Sequence, residues 1–202
     1  MKSRDDFLIG PKEKAEEAIK KGNKEDALKY LNEVYEQFHR LHDSYGTTQD
    51  FFMGALAEIK GEEWLMELDR KRVYENFYEM FKPLRDKTPE DRAKAICGNM
   101  RAHYTEFHVE EDDEKFTVAA TGCNAGGRLL RDGIAVRNNT VTKKAYPWSY
   151  NRTGFPYYCI HSFFFNEIFK ELGLNMEIQW GKQYDDKGNK IDEPCRYVIY
   201  KS

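Results

Sequence analysis

The first half of the chain reads as helix. From Pro11 to Lys21 the residues are densely charged, with Ala15, Ala18 and Ile19 as a thin apolar stripe, which predicts a short helix. Gly22-Asn23 breaks it, and Asn23 is placed to cap a second helix that carries Ala27, Leu28, Leu31, Val34, Tyr35, Phe38 and Leu41. Spacings of 1, 3, 3, 1, 3 and 3 put these residues on one face. A turn is expected around Ser44-Tyr45-Gly46, followed by a helical region from Thr48 toward Phe81 with a break at Gly61. Phe52, Leu56, Ile59, Trp64, Leu65, Leu68, Tyr74, Phe77 and Phe81 mark its buried faces. Thr88-Pro89-Glu90-Asp91 combines a hydroxyl cap, proline at the first helical position and acids in the first turn, so a further helix is predicted from Pro89 to about Tyr104.

Beyond that point the period changes. Phe116, Val118 and Ala120 alternate with Thr117 and Ala119, which predicts a strand ending at Cys123. Residues 124–156, rich in Gly, Asn and Arg, are expected to form loops with short strands. Pro156 to Leu172 reads as a helix with a heavy aromatic face, stopped by Gly173. Met176, Ile178 and Trp180 alternate as a strand. Asp185-Asp186-Lys187-Gly188-Asn189 reads as a hairpin-type turn and Tyr197 to Tyr200 as a closing strand. The predicted class is α+β: a helical region over 1–104, then an α+β region over 105–202 with a small antiparallel sheet and a packed helix.

Composition narrows the function. Aromatics make up 14% of the 202 residues, enough buriable surface to argue against disorder. A formal net charge of −3 gives no global basic field, so neither nucleic acid nor anionic lipid is expected as a partner. No apolar run approaches the roughly 20 residues of a membrane span. The opening MKSRDDFLIGPKEK has no apolar stretch of the secretory kind, and a cytoplasmic location is expected. Thiols in that compartment more often bind metal or react than form bridges.

Three of the four cysteines lie in the second half: Cys123 in TGCNAGGR, Cys159 in FPYYCIHS and Cys195 in EPCRYVIY, with His161 two residues past the middle one. The predicted map puts Cys123 at a strand end, Cys195 at a strand start, and Cys159 and His161 at a helix start, so the four are expected to meet. A helix start is expected to lower the pKa of Cys159. Thiolates with an imidazole suit zinc, with iron as the alternative metal, while a lone lowered thiol suits nucleophilic attack. The Cys-x-His spacing is not a standard zinc pair, and three buried cysteines with a satisfied histidine explain the pattern equally well. Cys97, flanked by Ile96 and Gly98 within a helix, reads as packing. Gly126-Gly127-Arg128 forms either an anion-holding turn with an arginine fork or a plain β-turn with a surface arginine. Trp148, Tyr150, Tyr157 and Tyr158 suit the wall of a small-molecule pocket, or simply core.

His42 beside Asp43 is a candidate base, although His39 and His42 near a helix C-terminus are explained by the dipole alone. His103, at the end of the Pro89 helix, is a stronger candidate. His108 reads as an exposed turn residue and Glu110 to Glu114 as a solvated acidic loop. Glu167 reads as pocket-facing or, more simply, solvent-side.

The stretches HVEEDDEKFTVAATGCNAGGRLLR, YPWSYNRTGFPYYCIHSFFFNEIFKELG and PCRYVIYK, with FHRLHDSYGTTQDFFMGALAEIKGEEWL before them, resemble the L-2-amino-thiazoline-4-carboxylic acid hydrolase-like family, from about Tyr35 onward. A remoter similarity is to the 4-vinyl reductase (V4R) small-molecule-binding domains, so a V4R-like fold is implied. Cys123, Arg128, Cys159, His161 and Cys195 keep their residue types. Family members often read Pro-Cys-Gly-Ser-Gly-Gly-Arg where this chain has Gly122 to Arg128, and often carry cysteine where it has Ser162. The resemblance implies a metal- or thiol-dependent hydrolase or lyase acting on a small polar molecule of the cyclic amidine or thio-compound class. In it Cys123, Cys159, His161 and Cys195 hold the metal, or Cys159 or Cys123 supplies the nucleophile with His161 as base, while His103 and His42 stand as further catalytic candidates on their own sequence surroundings. Arg128, Gly126, Gly127, Trp148 and Tyr158 would contact the substrate. The rival expectation is a non-catalytic small-molecule-binding or sensing module with structural zinc. Either is compatible with a homodimer formed through the helical half.

Overall fold

The computed structural model describes residues 9–185, 187–191 and 193–202. The leading MKSRDDFL and Asp186 of the expected turn lie outside the described residues. The chain divides into two compact units, Met1–Tyr45 and Gly46–Ser202.

In the first unit, helix α1 spans Pro11–Lys20, with the Gly10 N–H held by Glu13 Oε2 at 3.0 Å. Gly22, at φ +70°, lets the chain leave the helix in a conformation that side chains resist. Asn23 then caps α2 (Lys24–Lys60) as expected: its Oδ1 accepts the Asp26 N–H at 3.2 Å and its Nδ2 donates to Asp26 Oδ2 at 2.7 Å. The turn expected at Ser44-Tyr45-Gly46 does not form, and α2 continues through it. A mid-helix glycine costs only about 1 kcal/mol. Gly46 is buried, and a side chain there would come within 3.4 Å of Arg128 Nη2, so its smallness serves close packing, not a bend. The break expected at Gly61 is present: φ +92° separates α2 from α3 (Glu62–Phe81).

Thr88 caps α4 (Pro89–Ala102) as predicted, its Oγ1 accepting the Asp91 N–H at 3.1 Å. Strand β1 (Glu106–Glu111) was not expected. It takes in the first two acids of the run read as a loop, and almost all of its side chains are exposed, so no alternation marks it. Charge along an edge strand discourages pairing with a further chain. Asp112 Oδ1 accepts the N–H groups of Glu114 at 2.8 Å and Lys115 at 2.9 Å, and this Asx turn leads into β2 (Lys115–Gly122). With β3 (Met176–Gln179) and β4 (Arg196–Tyr200) these form a four-stranded antiparallel sheet in the order β1-β2-β4-β3.

Between β2 and the last helix the structure corrects the expectation of short strands. Residues 124–156 contain α5 (Gly126–Arg131), α6 (Ile134–Arg137) and a 3₁₀ turn at Pro147–Ser149; the described β pairing there is one bridge, Val141 to Pro156. Leu129, Leu130, Ile134 and Ala135 form a second small core with Tyr158 and Tyr184, and burying them is what keeps these glycine-rich turns helical. Helix α7 (Ile160–Glu171) packs between α3 and the sheet. Phe81 meets Phe165 edge-on at 4.9 Å and Phe169 at 5.0 Å, and Phe77 meets Phe165 at 5.0 Å, the favoured aromatic geometry. The part-buried Glu62 ties the loop to α3, accepting from Tyr146 Oη at 2.7 Å, Tyr157 Oη at 2.8 Å and the Lys143 N–H at 2.8 Å. The α+β class stands: a helical front followed by a small antiparallel sheet with a helix on it. Among the described residues no helix is long and apolar enough to cross a membrane.

Candidate functional site

Cys123, Cys159 and Cys195 arrive from three places in the second unit. Cys123 follows β2. Its N–H donates to Gln183 Oε1 at 2.9 Å, and Gln183 Nε2 donates to the Ala120 carbonyl at 2.7 Å, so this buried amide ties the strand end to the segment after β3. The Gly127 N–H points at Cys123 Sγ, 3.4 Å away. Cys159 closes the short 3₁₀ turn Tyr157–Cys159 that leads into α7, with its N–H on the Pro156 carbonyl at 2.9 Å. Its sulfur lies against Gly126 so closely that a β-carbon there would overlap it. Cys195 precedes β4, and its carbonyl accepts the Ala120 N–H at 2.9 Å. Its sulfur accepts the Gly181 N–H at 3.3 Å while the thiol donates to the Gly181 carbonyl at 3.3 Å. The next glycine is crowded differently: at Gly127 an added Cβ would lie 2.7 Å from Cys123 Cβ, 3.3 Å from Gln183 Oε1 and 3.4 Å from Cys123 Sγ. Sulfur thus fills the side-chain place at Gly126, and the Cys123 Cβ that at Gly127.

The three sulfurs sense one another. Burial pushes Cys159 well above the ordinary thiol value, the neighbouring Cys123 and Cys195 push it further, and a hydrogen bond from Trp180 only partly opposes them. Burial and then Cys123 raise Cys195 to about 12, against the Gly181 N–H. Tyr150 and Tyr197 are pushed up as well, by burial first and then by the same thiols. Each of the three cysteines is nonetheless only partly buried as a whole residue. The expected lowering of Cys159 is therefore overturned. Its position ahead of α7 supplies less than desolvation and two neighbouring sulfurs remove.

His161 is the second residue of α7. The His161 ring lies 5.2 Å from Phe165 and 5.9 Å from Tyr158, with Nδ1 2.7 Å from the Tyr158 carbonyl. Burial, then Arg72 and His103, hold its pKa down to about 3. The ring is thus neutral, and Nδ1 carries the proton toward the carbonyl. Among the described residues, no group of three or more His, Cys, Asp or Glu side chains is arranged to hold a metal ion.

His103 caps the end of α4, on the His161 side. His42 lies in the first unit, with Nδ1 3.1 Å from Asp43 Oδ1, the pairing expected from sequence. Arg128 is 5% exposed. Its Nη2 donates to Thr47 Oγ1 at 3.3 Å and its Nη1 lies 3.9 Å from Asp132 Oδ2, so the fork braces α5 against α2 residues of the same unit. Trp148 is core, stacked on Tyr146 at 4.6 Å, and Tyr158 belongs to the second small core. Sequence reasoning missed Asp50, Trp180, Gly181 and Gln183. Asp50 is wholly buried and accepts Asn138 Nδ2 at 3.1 Å; burial raises its pKa, against hydrogen bonds from Thr140 and Asn138. An acid on the apolar side of a helix was the one available signal. Nothing in the sequence singled out Gly181 or Gln183.

These pKa directions predict slow alkylation. A thiol whose pKa is raised carries less thiolate at every pH below that pKa, and only the thiolate reacts. At pH 7, Cys159 and Cys195 of the folded protein should react with iodoacetamide at least about tenfold more slowly than in the urea-unfolded chain, one pKa unit being a factor of ten. Both rates should climb as pH rises past 9. A folded-state thiol that outpaces its unfolded counterpart at pH 7, read by peptide mass mapping, would contradict the assignment.

Comparison with known proteins finds no match: no family model, no curated protein and no solved structure is significantly similar to this chain.

Proposed function

We propose that the thiol cluster binds a small polar molecule of the cyclic amidine or thio-compound class and opens it by hydrolysis, with Cys159 as the attacking group. The observation that supports this is the gathering of Cys159 and Cys123 against the glycines that open α5, with Cys159 and Cys195 both raised in pKa by burial first and then by neighbouring sulfur. An uncharged thiol is a weak nucleophile toward an ordinary ester or amide. A basic amidine changes that balance, because its ring nitrogen can take the thiol proton. That single transfer makes both the thiolate and an activated amidinium carbon. Sulfur then bonds to that carbon, the ring carbon–sulfur bond breaks, and the ring sulfur leaves as a thiol with the proton. Water hydrolyses the isothiourea adduct, returning Cys159 and a carbamoyl product. The net change is addition of one water. Resemblance to the aminothiazoline-carboxylate hydrolase-like proteins points to the same substrate class.

The second reading is a binding or sensing module without turnover. It is favoured by the raised pKa values of Cys159 and Cys195, which keep both thiols protonated near neutrality, and by the lowered pKa of the buried His161. One experiment separates the two. L-2-aminothiazoline-4-carboxylate is incubated with wild type and with Cys159→Ser between pH 7 and 9, and the thiol product is followed chromatographically while binding is read by calorimetry. Hydrolysis by the wild type, rising with pH and reduced at least about 100-fold in the variant, is expected of a thiol nucleophile. Binding without product would support the sensing module. Neither binding nor product would remove this substrate class.

A further inference from the structure

The first unit carries an apolar face that it does not use. Among its described residues the buried hydrophobic ones are Ala15, Ala18 and Ala27, and the Lys14 ammonium lies 5.7 Å over the Tyr30 ring. That contact and those alanines place the 27/30 side of α2 toward α1. Leu28, Leu31, Tyr35, Phe38, Leu41 and Tyr45 are instead 50% to 66% exposed. Three alanines are far too little core for a helical hairpin of this length to stand by itself.

We propose that this face is a self-association surface and that its occupant is a second copy of the chain. Three features favour a copy over an unrelated partner. Leu28, Leu31, Tyr35 and Phe38 follow the alternating three-and-four spacing at which helix meets helix, and Tyr45 lies one heptad past Phe38. Six large side chains at these exposures present on the order of 700 Å², close to the roughly 800 Å² one partner brings to a stable interface. Residues 1–45 hold nine Lys and Arg against ten Asp and Glu, so like copies do not repel through net charge. Two hairpins pairing along this seam form a four-helix arrangement with the charged residues outward. The inference is independent of the thiol cluster.

The test is sedimentation equilibrium of the full chain from about 1 to 100 μM, with Leu31→Glu/Phe38→Glu beside the wild type and far-UV circular dichroism on both. The expected wild-type mass is twice the 23.9 kDa of one chain, with a melting temperature that rises with concentration. The variant is expected to be monomeric with its helical signal kept, since both positions face solvent in the single chain. A wild type that stays at one chain mass over the whole range overturns the proposal, as does a dimer that survives both glutamates. Because the wild-type mass decides independently, a variant that failed to fold would not rescue the idea.

Discussion

Phe169→Ala should lower the unfolding free energy by about 3–5 kcal/mol, the usual cost of removing a buried phenylalanine. Phe169 is fully buried on α7, edge-on to Phe81 of α3 and 6.3 Å from Phe165 one turn away. Its removal deletes one of the ring contacts that hold α7 against α3, and the close packing of the surrounding rings leaves the space unfilled. Because Cys159 immediately precedes α7, the same variant should loosen its surroundings and speed its alkylation. In urea unfolding followed by circular dichroism, a loss under about 1 kcal/mol would contradict the placement of α7 at the centre of the core.

Gly126→Ala should be the most costly small substitution near the site. Two effects compete. Alanine gains up to about 1 kcal/mol over glycine within a helix, and Gly126 opens α5 with no unusual backbone angle to forbid a side chain. Against this, the new methyl would sit inside the van der Waals shell of Cys159 Sγ. Forcing a carbon into filled space costs typically about 1–3 kcal/mol. Cys159 cannot swing away freely, since Gly126, Trp180 and the other two sulfurs surround it. A net destabilisation is expected, with faster alkylation of the displaced thiol.

The elements that the sequence disclosed are those marked by local chemistry. Asn23, Gly61 and Thr88-Pro89 each set a helix boundary through a cap or a forced backbone angle, and each is where the pattern put it. Strand β2 and helix α7 bury one face and show it as period. What stayed hidden depends on partners distant in sequence. Strand β1 is visible only by its pairing with β2, because its side chains face water. Helix α5 holds because Leu129 and Leu130 reach a second core that includes Tyr158 and Tyr184. Gly46 looked like a turn because a close approach to Arg128 leaves no trace in the chain itself. At the site, the three cysteines were legible by type alone. The raised pKa values of Cys159 and Cys195 were not, since these come from burial and from neighbouring sulfur.

The central claim is that position 126, at the start of α5, is glycine because the Cys159 sulfur fills the space beside it. Urea unfolding of four proteins tests it: wild type, Gly126→Ala, Cys159→Ala and the double variant. With the sulfur gone, the nearest atom of residue 159 to a methyl at 126 is its Cβ at 3.9 Å, an ordinary contact. The account predicts that alanine at 126 destabilises the wild type by about 1–3 kcal/mol, yet is neutral or stabilising by up to about 1 kcal/mol when Cys159 is alanine. An equal cost in both backgrounds would contradict it.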